Sequence, residues 1–233
     1  MNYNQFQRTL LLLGDSSFNQ LRKAHVMVIG CGAVGSFAIE ALARAGVGHL
    51  TLVDGDIVQE TNINRQLCAT HDTLGQPKTE VLKNRIDTIC PDTQVSTFQL
   101  FFNEESAEKI FKTKPDFVID AIDTLTDKAT LITLLQKNGI PFISSMGAAL
   151  KTDFSKIKIT TLNQTTVCPL ASRLRKLLKE RNADLSFPCV FSTEKPIKAN
   201  EPGRQMGSLV SITGIFGLIL ANETILKLTQ NER

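Results

Sequence analysis

Short apolar runs and amphipathic stretches alternate along the first two thirds of the chain. Residues 26–29, 50–53, 93–98, 116–120 and 142–145 are runs of strand length, rich in Val, Ile, Leu and Phe. Residues 37–45, 77–89, 103–111 and 125–137 instead carry the residue choice and spacing of helices. Pro77 suits a first helical turn, Thr124 a cap, and Gly139 a helix end. This alternation predicts an α/β fold, a Rossmann-like, doubly wound and mostly parallel sheet with helices on both faces.

From Lys156 the character changes. Residues 156–162 alternate polar and apolar, as a half-exposed antiparallel strand does, so antiparallel strands are expected to extend the sheet. Residues 169–182 predict a basic amphipathic helix, 188–192 a short strand, and 194–205 a loop. Residues 206–228 predict a buried terminal helix, loosened at Gly214 and Gly217. At the other end, residues 2–23 read as helical with a break near Gly14, where Asp15 or Ser16 would cap the second piece. Phe6, Leu10 and Leu13 share a helical face and Arg8 lies off it. Residues 55–71 carry no apolar period and form a long polar crossover.

A chain of 233 residues buries a sizeable core and reads as one domain, 1–233. A net charge of +3 neither demands nor excludes a nucleic-acid partner. Five cysteines without a C-x-x-C pair suggest neither a disulfide framework nor a structural zinc, and fit a reducing cytoplasm. No signal-peptide pattern opens the chain, and residues 208–221 are interrupted by Ser211 and Thr213 and too short for a span, so no membrane role is expected.

Chemistry concentrates after the first strand. Gly30, Gly32 and Gly35 have G-x-G-x-x-G spacing between a strand and a helix, and Asp54 ends the next strand. Such a unit offers helix N–H groups to a phosphate and a carboxylate to a ribose. A nicotinamide dehydrogenase would use these residues and leave Asn62, Asn64, Arg65, Lys78 and Asp123 without a task. A triphosphate needs these types: Arg and Lys to neutralise a departing pyrophosphate, Asn to orient phosphate or ribose, Asp to hold Mg2+. Lys78 in a first helical turn opposes the helix dipole unless an anion is held nearby. Asp120 and Asp123 end a strand on the same sheet edge; Asp120 suits local backbone N–H groups, and Asp123 a ligand or its metal.

Taken in order, GCGAVG, LVDGD, TNINRQ, GQPK and VIDAID resemble the adenylate-forming ThiF/MoeB superfamily, relatives of ubiquitin-activating enzymes. The resemblance implies an ATP site built from Gly30, Gly32, Ala33, Gly35 and Asp54, with Asn62, Asn64, Arg65 and Lys78 towards the phosphates. It implies that Asp123, with Thr124 beside it, supports Mg2+ and ATP. It implies a homodimer in which Arg8 reaches the partner's site, giving Arg8, Arg65, Lys78 and Asp123 as catalytic candidates.

The second part decides the branch. Sulfur-carrier-activating members usually hold zinc by two C-x-x-C pairs, which this chain lacks. CPLASRLRK, starting at Cys168, and CVFSTE, starting at Cys189, are similar instead to the tRNA threonylcarbamoyladenosine dehydratase branch. That resemblance implies nucleotide binding by residues of about 1–150 and substrate and tRNA binding by about 151–233. The threonyl carboxylate of N6-threonylcarbamoyladenosine beside the anticodon would be adenylated, and its own ureido group would close the ring. Arg173, Arg175, Lys176 and Lys179, with Lys195, Lys198 and Arg204, would contact the tRNA. Cys31 and Cys90 read as structural thiols, while Cys68 and Cys189 stay open, with a persulfide or sulfur-transfer protein partner for Cys189. Three other readings remain: adenylylation of a ubiquitin-like sulfur carrier's C-terminal carboxylate, a nicotinamide dehydrogenase, and a tRNA-binding module with a structural nucleotide.

Overall fold

A computed structural model describes residues 4–197 and 206–229. Seven strands form one sheet: β1 (His25–Ile29), β2 (His49–Val53), β3 (Gln94–Phe98), β4 (Phe117–Asp120), β5 (Phe142–Ser145), β6 (Ile157–Thr161) and β7 (Pro188–Ser192). Their spatial order is β3-β2-β1-β4-β5-β7-β6. All neighbours are parallel except β6 and β7, which run antiparallel and extend the sheet beyond β5. The expected half-exposed antiparallel strand is thus the edge strand β6.

Eight helices accompany the strands among the described residues: α1 (Gln7–Leu13), α2 (Asp15–Lys23), α3 (Gly35–Ala45), α4 (Lys78–Ile89), α5 (Glu104–Phe111), α6 (Leu125–Lys137), α7 (Pro169–Glu180) and α8 (Val210–Thr229). Alternation along β1 sends Val26 and Val28 into a core with α2, α3, α4 and α8. Met27 and Ile29 face the opposite core, with α5, α6 and α7. Both faces are therefore covered, which is why the central strand is apolar at nearly every position. Each fully buried Leu or Ile of these cores contributes roughly 1.5–3 kcal/mol.

Three local expectations change. Helix α3 begins at Gly35, two residues before the apolar stretch, because the glycine loop leads straight into its first turn. The break between α1 and α2 is Gly14 itself, at φ 79°, and neither Asp15 nor Ser16 supplies a side-chain cap. Helix α8 is continuous through Gly214 and Gly217, which serve close packing instead. A Cβ on Gly217 would lie 2.3 Å from the Val34 carbonyl oxygen and 2.8 Å from the Phe37 Cβ. By length and composition α8 is apolar enough to cross a bilayer. In the fold its inner face, Ile212, Phe216, Leu220 and Ala221, is buried in the core.

Candidate active site

The register Ile29↔Val53 and Ile29↔Asp120 brings the ends of β1, β2 and β4 to one edge of the sheet. The glycine loop, the 54–56 turn and the 121–124 turn therefore leave that edge side by side, where ligands bind in open parallel sheets. A bridge between Ile57 and Pro77 brings the start of α4, and with it Lys78, to the same place.

The glycines divide their work. Gly30, at φ 95°, packs so closely on the next turn that a Cβ would lie 2.6 Å from the Ala121 carbonyl oxygen. A Cβ on Gly35 would lie 1.8 Å from the Gly30 carbonyl oxygen, so only glycine closes the loop onto the helix. A Cβ on Gly32 would meet only the Gln66 Nε2, at 3.8 Å. Gly32 and Ala33 are the partly open residues over which a nucleotide can approach the backbone.

Asp54 spends both carboxylate oxygens on the loop geometry. Oδ2 accepts the Cys31 N–H at 2.7 Å and Oδ1 accepts the Asp56 N–H at 2.8 Å. Burial pushes its carboxyl above the usual carboxylate range, although these two N–H groups and the Lys78 charge pull the other way. Remaining lone pairs are available to ribose hydroxyls. Lys78 is buried, and its ammonium lies 2.7 Å from Asp56 Oδ2. The charge that opposes the α4 dipole is thus balanced by the Asp56 carboxylate.

The crossover residues are held to one another. Asn62 is buried, and its Oδ1 accepts the Gln59 N–H at 3.0 Å, so its carbonyl is committed to the turn. Arg65 donates to the Thr61 carbonyl at 2.8 Å and to Asn64 Oδ1 at 2.9 Å, keeping part of its guanidinium free. Ser36, fully buried in α3, accepts the Leu67 N–H and ties this segment to the glycine loop. Asp123 is exposed and has no side-chain hydrogen bond with any described residue. Thr124 occupies the N-cap of α6, but its hydroxyl donates to Asp127 instead of accepting a helix N–H.

Arg8 is not brought to this edge. Phe6, two residues before it, packs with Phe18 and Cys90 beyond the end of α4, while Lys78 stands at its start. That helix of 12 residues is roughly 18 Å long. On α7, Arg173, Lys176 and Lys179 are exposed, but Arg175 is half-buried. Arg175 donates to the carbonyls of Thr165 and Leu162 and to the Thr165 hydroxyl, so it braces the preceding loop. Lys198 and Arg204 lie outside the described residues. All five cysteines are free and buried. Burial pushes the Cys189 thiol up to about 12 and the Cys68 thiol up to about 11, so neither is a thiolate at neutral pH.

Sequence reasoning missed Gln66, Ser36, Asp56 and Lys128. Gln66 was legible as the residue after Arg65 in TNINRQ. Lys128 was legible as a lysine on the core stripe of α6, with Leu131, Ile132 and Leu135. It is fully buried, 2.7 Å from Asp120. Asp120 also accepts the Ile122 N–H, the local role expected for it.

No group of three or more His, Cys, Asp or Glu side chains among the described residues could cage a metal. Asp123, exposed at this edge and without a side-chain hydrogen bond to any described residue, fits a Mg2+ that takes its other ligands from phosphates and water.

Comparison with known proteins agrees with this geometry. The ThiF family model matches residues 6–233. The chain is 43% identical over 202 residues to the tRNA threonylcarbamoyladenosine dehydratase of Bacillus subtilis, covering 87% of this chain and 80% of that one. A crystal structure of the E. coli tRNA N6-threonylcarbamoyladenosine dehydratase in complex with AMP superposes with a TM-score of 0.93 at 35% identity, covering 98% of this chain and 95% of that one. The same enzyme in complex with ATP gives a TM-score of 0.92, at 35% identity and the same coverage. With the fold, the glycine loop and nearly the full length in agreement, the chain belongs to the ThiF family.

Proposed function

We infer that the protein is an ATP-dependent tRNA threonylcarbamoyladenosine dehydratase. The observation that carries this reading is near-full-length similarity to enzymes of that name, including one solved with ATP and with AMP. The cluster of Gly32, Asp54, Lys78 and Asp123 at one sheet edge supplies the chemistry such a reaction requires.

In this reading the threonyl carboxylate of the modified adenosine attacks the α-phosphorus of ATP, and pyrophosphate leaves. The ureido group of the same nucleoside then attacks the activated carbonyl, the bond to AMP breaks, and a proton is released. The net change in the tRNA is loss of water. Asp54 holds the ribose, and Lys78 and Arg65 face the charge that develops on pyrophosphate. Asn62 and Asn64 shape the turn that presents Arg65. Mg2+ bound with ATP would be held from the protein side by Asp123 and would neutralise phosphate charge. No thiol is needed, in keeping with five buried cysteines, and a sulfur-transfer partner would find none of them exposed. Free thiols also suit a reducing cytoplasm.

The working unit in this reading is a homodimer. Leu11 and Leu12, 73% and 78% exposed, lie three and four residues after Arg8 and so on the same face of α1. An exposed apolar pair beside an arginine remote from its own site supports a partner docking there and receiving Arg8. The whole chain acts as one adenylation domain, with Arg173, Lys176 and Lys179 of its second part towards tRNA.

Incubating the protein with ATP, Mg2+ and tRNA carrying threonylcarbamoyladenosine tests this directly. Mass analysis of the nucleosides should show conversion to a species lighter by one water, with AMP formed in equal amount. Pyrophosphate exchange driven by a protein ending in Gly-Gly, with unmodified nucleoside mass, would replace this reading by carrier activation.

A further inference from the structure

Beneath the turn that carries Asp123 lies a fully buried polar cluster with no assigned task. Lys128 Nζ is 2.7 Å from Asp120 Oδ2, and the Ser144 hydroxyl donates to the same oxygen at 2.6 Å. Lys128 is also 3.3 Å from the Ser144 oxygen. All three side chains are completely excluded from solvent. Burying an ion pair is expensive, and well-packed apolar residues of the same volume serve stability as well or better. Stability alone therefore gives little reason for a lysine on the core stripe of α6.

The geometry gives a reason. Asp120 uses its second oxygen, Oδ1, to accept the Ile122 N–H at 3.1 Å. The Ala121 N–H donates to the Ile29 carbonyl at 2.8 Å, and the Lys128 N–H to the Thr124 carbonyl at 3.0 Å. The 121–124 turn is thus tied at its start to Asp120 and at its end to the helix that carries Lys128. Its back rests on Gly30, whose contact with the Ala121 carbonyl leaves no room for a side chain. Asp123 projects from this clamped turn with no side-chain hydrogen bond to any described residue.

We propose that Lys128 is a positioning residue: through the buried carboxylate of Asp120 it fixes the turn that presents Asp123 to Mg2+ and the phosphates of ATP. Lys128 and Ser144 together orient Oδ2, which leaves Oδ1 aimed at the Ile122 peptide. Removing the ammonium frees that carboxylate to rotate or take up a proton, and the Ile122 tether loosens with it. This inference rests on the reading of Asp123 as the acid of the nucleotide site. Outer residues that orient a metal-binding group commonly set its affinity within about 10–100-fold, without touching the metal.

Three variants test it: K128M, the charge-free pair D120N/K128M, and D123N. Two quantities are read on purified protein without tRNA. One is amide hydrogen exchange of the 121–124 turn, with neither metal nor nucleotide present. The other is the Mg2+ concentration that half-maximally tightens ATP binding. For K128M, faster exchange at Ile122 and a Mg2+ midpoint raised by about tenfold are expected. ATP affinity in chelator should stay near wild type, because the glycine loop and Lys78 are untouched. If K128M does not fold, D120N/K128M, which buries no unpaired charge, is expected to show the same rise in Mg2+ midpoint. Melting temperatures that fall while exchange and midpoint stay at wild-type values would overturn the proposal and leave the cluster structural. D123N sets the scale: an unmoved midpoint there would overturn the role of Asp123 itself, and the positioning role with it. A shift in D123N without one in the other two variants would sink the positioning role alone.

Discussion

The ammonium of Lys78 lies 2.7 Å from the carboxylate of Asp56, buried on the lysine side and half open to water on the other. A pair with one solvated partner contributes at most about 1 kcal/mol. Asp56 therefore holds the lysine in place without binding it tightly, and an incoming phosphate can take it over. Lys78→Met is expected to lower kcat/KM for ATP by about 100-fold or more, the scale of losing one charge-stabilising donor. Asp56→Asn should leave the thermal midpoint within a few degrees of wild type, as about 1 kcal/mol implies. AMP-release assays and melting curves on both variants check this; wild-type turnover in Lys78→Met would remove the lysine from the site.

The contact between α8 and α3 sets a different expectation for two glycines one turn apart. At Gly217 an added Cβ would meet a backbone carbonyl oxygen at 2.3 Å and a backbone nitrogen at 3.0 Å, neither of which can move alone. At Gly214 it would meet only the Phe37 ring, at 3.2 Å. Alanine gains up to about 1 kcal/mol in helix propensity at either position, against about 1–3 kcal/mol for overpacking. Gly217→Ala should be clearly destabilised in urea unfolding and Gly214→Ala close to neutral. Equal midpoints for the two would mean that the helices separate more easily than the packing implies.

At the opposite edge of the sheet, the rings of His25 and His49 stack with centroids 3.8 Å apart and planes within 8°. Burial lowers both from the usual histidine value of 6.5, and for His25 the neighbouring His49 adds to the lowering. The unfolded chain then takes up protons first as pH falls. Stability is fully present above about 6.5 and declines below it, towards the lower folded values. The urea midpoint should drop between pH 7.5 and pH 5.5, and the doubly substituted His25→Asn, His49→Asn chain should flatten that slope. An unchanged slope in the double variant would place the titration elsewhere.

On α7 the basic residues part company. Charge reversal at Arg173, Lys176 and Lys179, all exposed, is expected to weaken tRNA binding and reduce its dependence on salt. Arg175 holds the carbonyls of Leu162 and Thr165, so Arg175→Ala should lower the melting temperature and leave the salt slope nearly intact. Filter binding across a salt series, beside thermal melts, separates the two. A salt slope that falls only with Arg175 would reverse the assignment.

The sequence by itself determined the class of fold and the gathering of most candidate residues at one sheet edge. Strand and helix periods are local properties, and a parallel sheet with short connections necessarily gathers Gly32, Asp54 and Asp123 at one end. Even the half-exposed edge strand at residues 157–161 was legible from its alternating residue types, although its burial does not alternate and Ile159 is exposed. What only the tertiary structure decided were choices between equivalent local roles. Arg173 and Arg175 are alike as letters, but packing turns one to solvent and the other onto the carbonyls of Leu162 and Thr165. Gly217 reads as a helix breaker in isolation, yet it is the place where two backbones approach within reach of a missing Cβ. Lys128 stands on the core stripe of α6 without a visible partner in the sequence until Asp120 and Ser144, brought in by two neighbouring strands, close around it. In each case the deciding partner lies on another element, and burial makes its presence or absence worth more than any local preference.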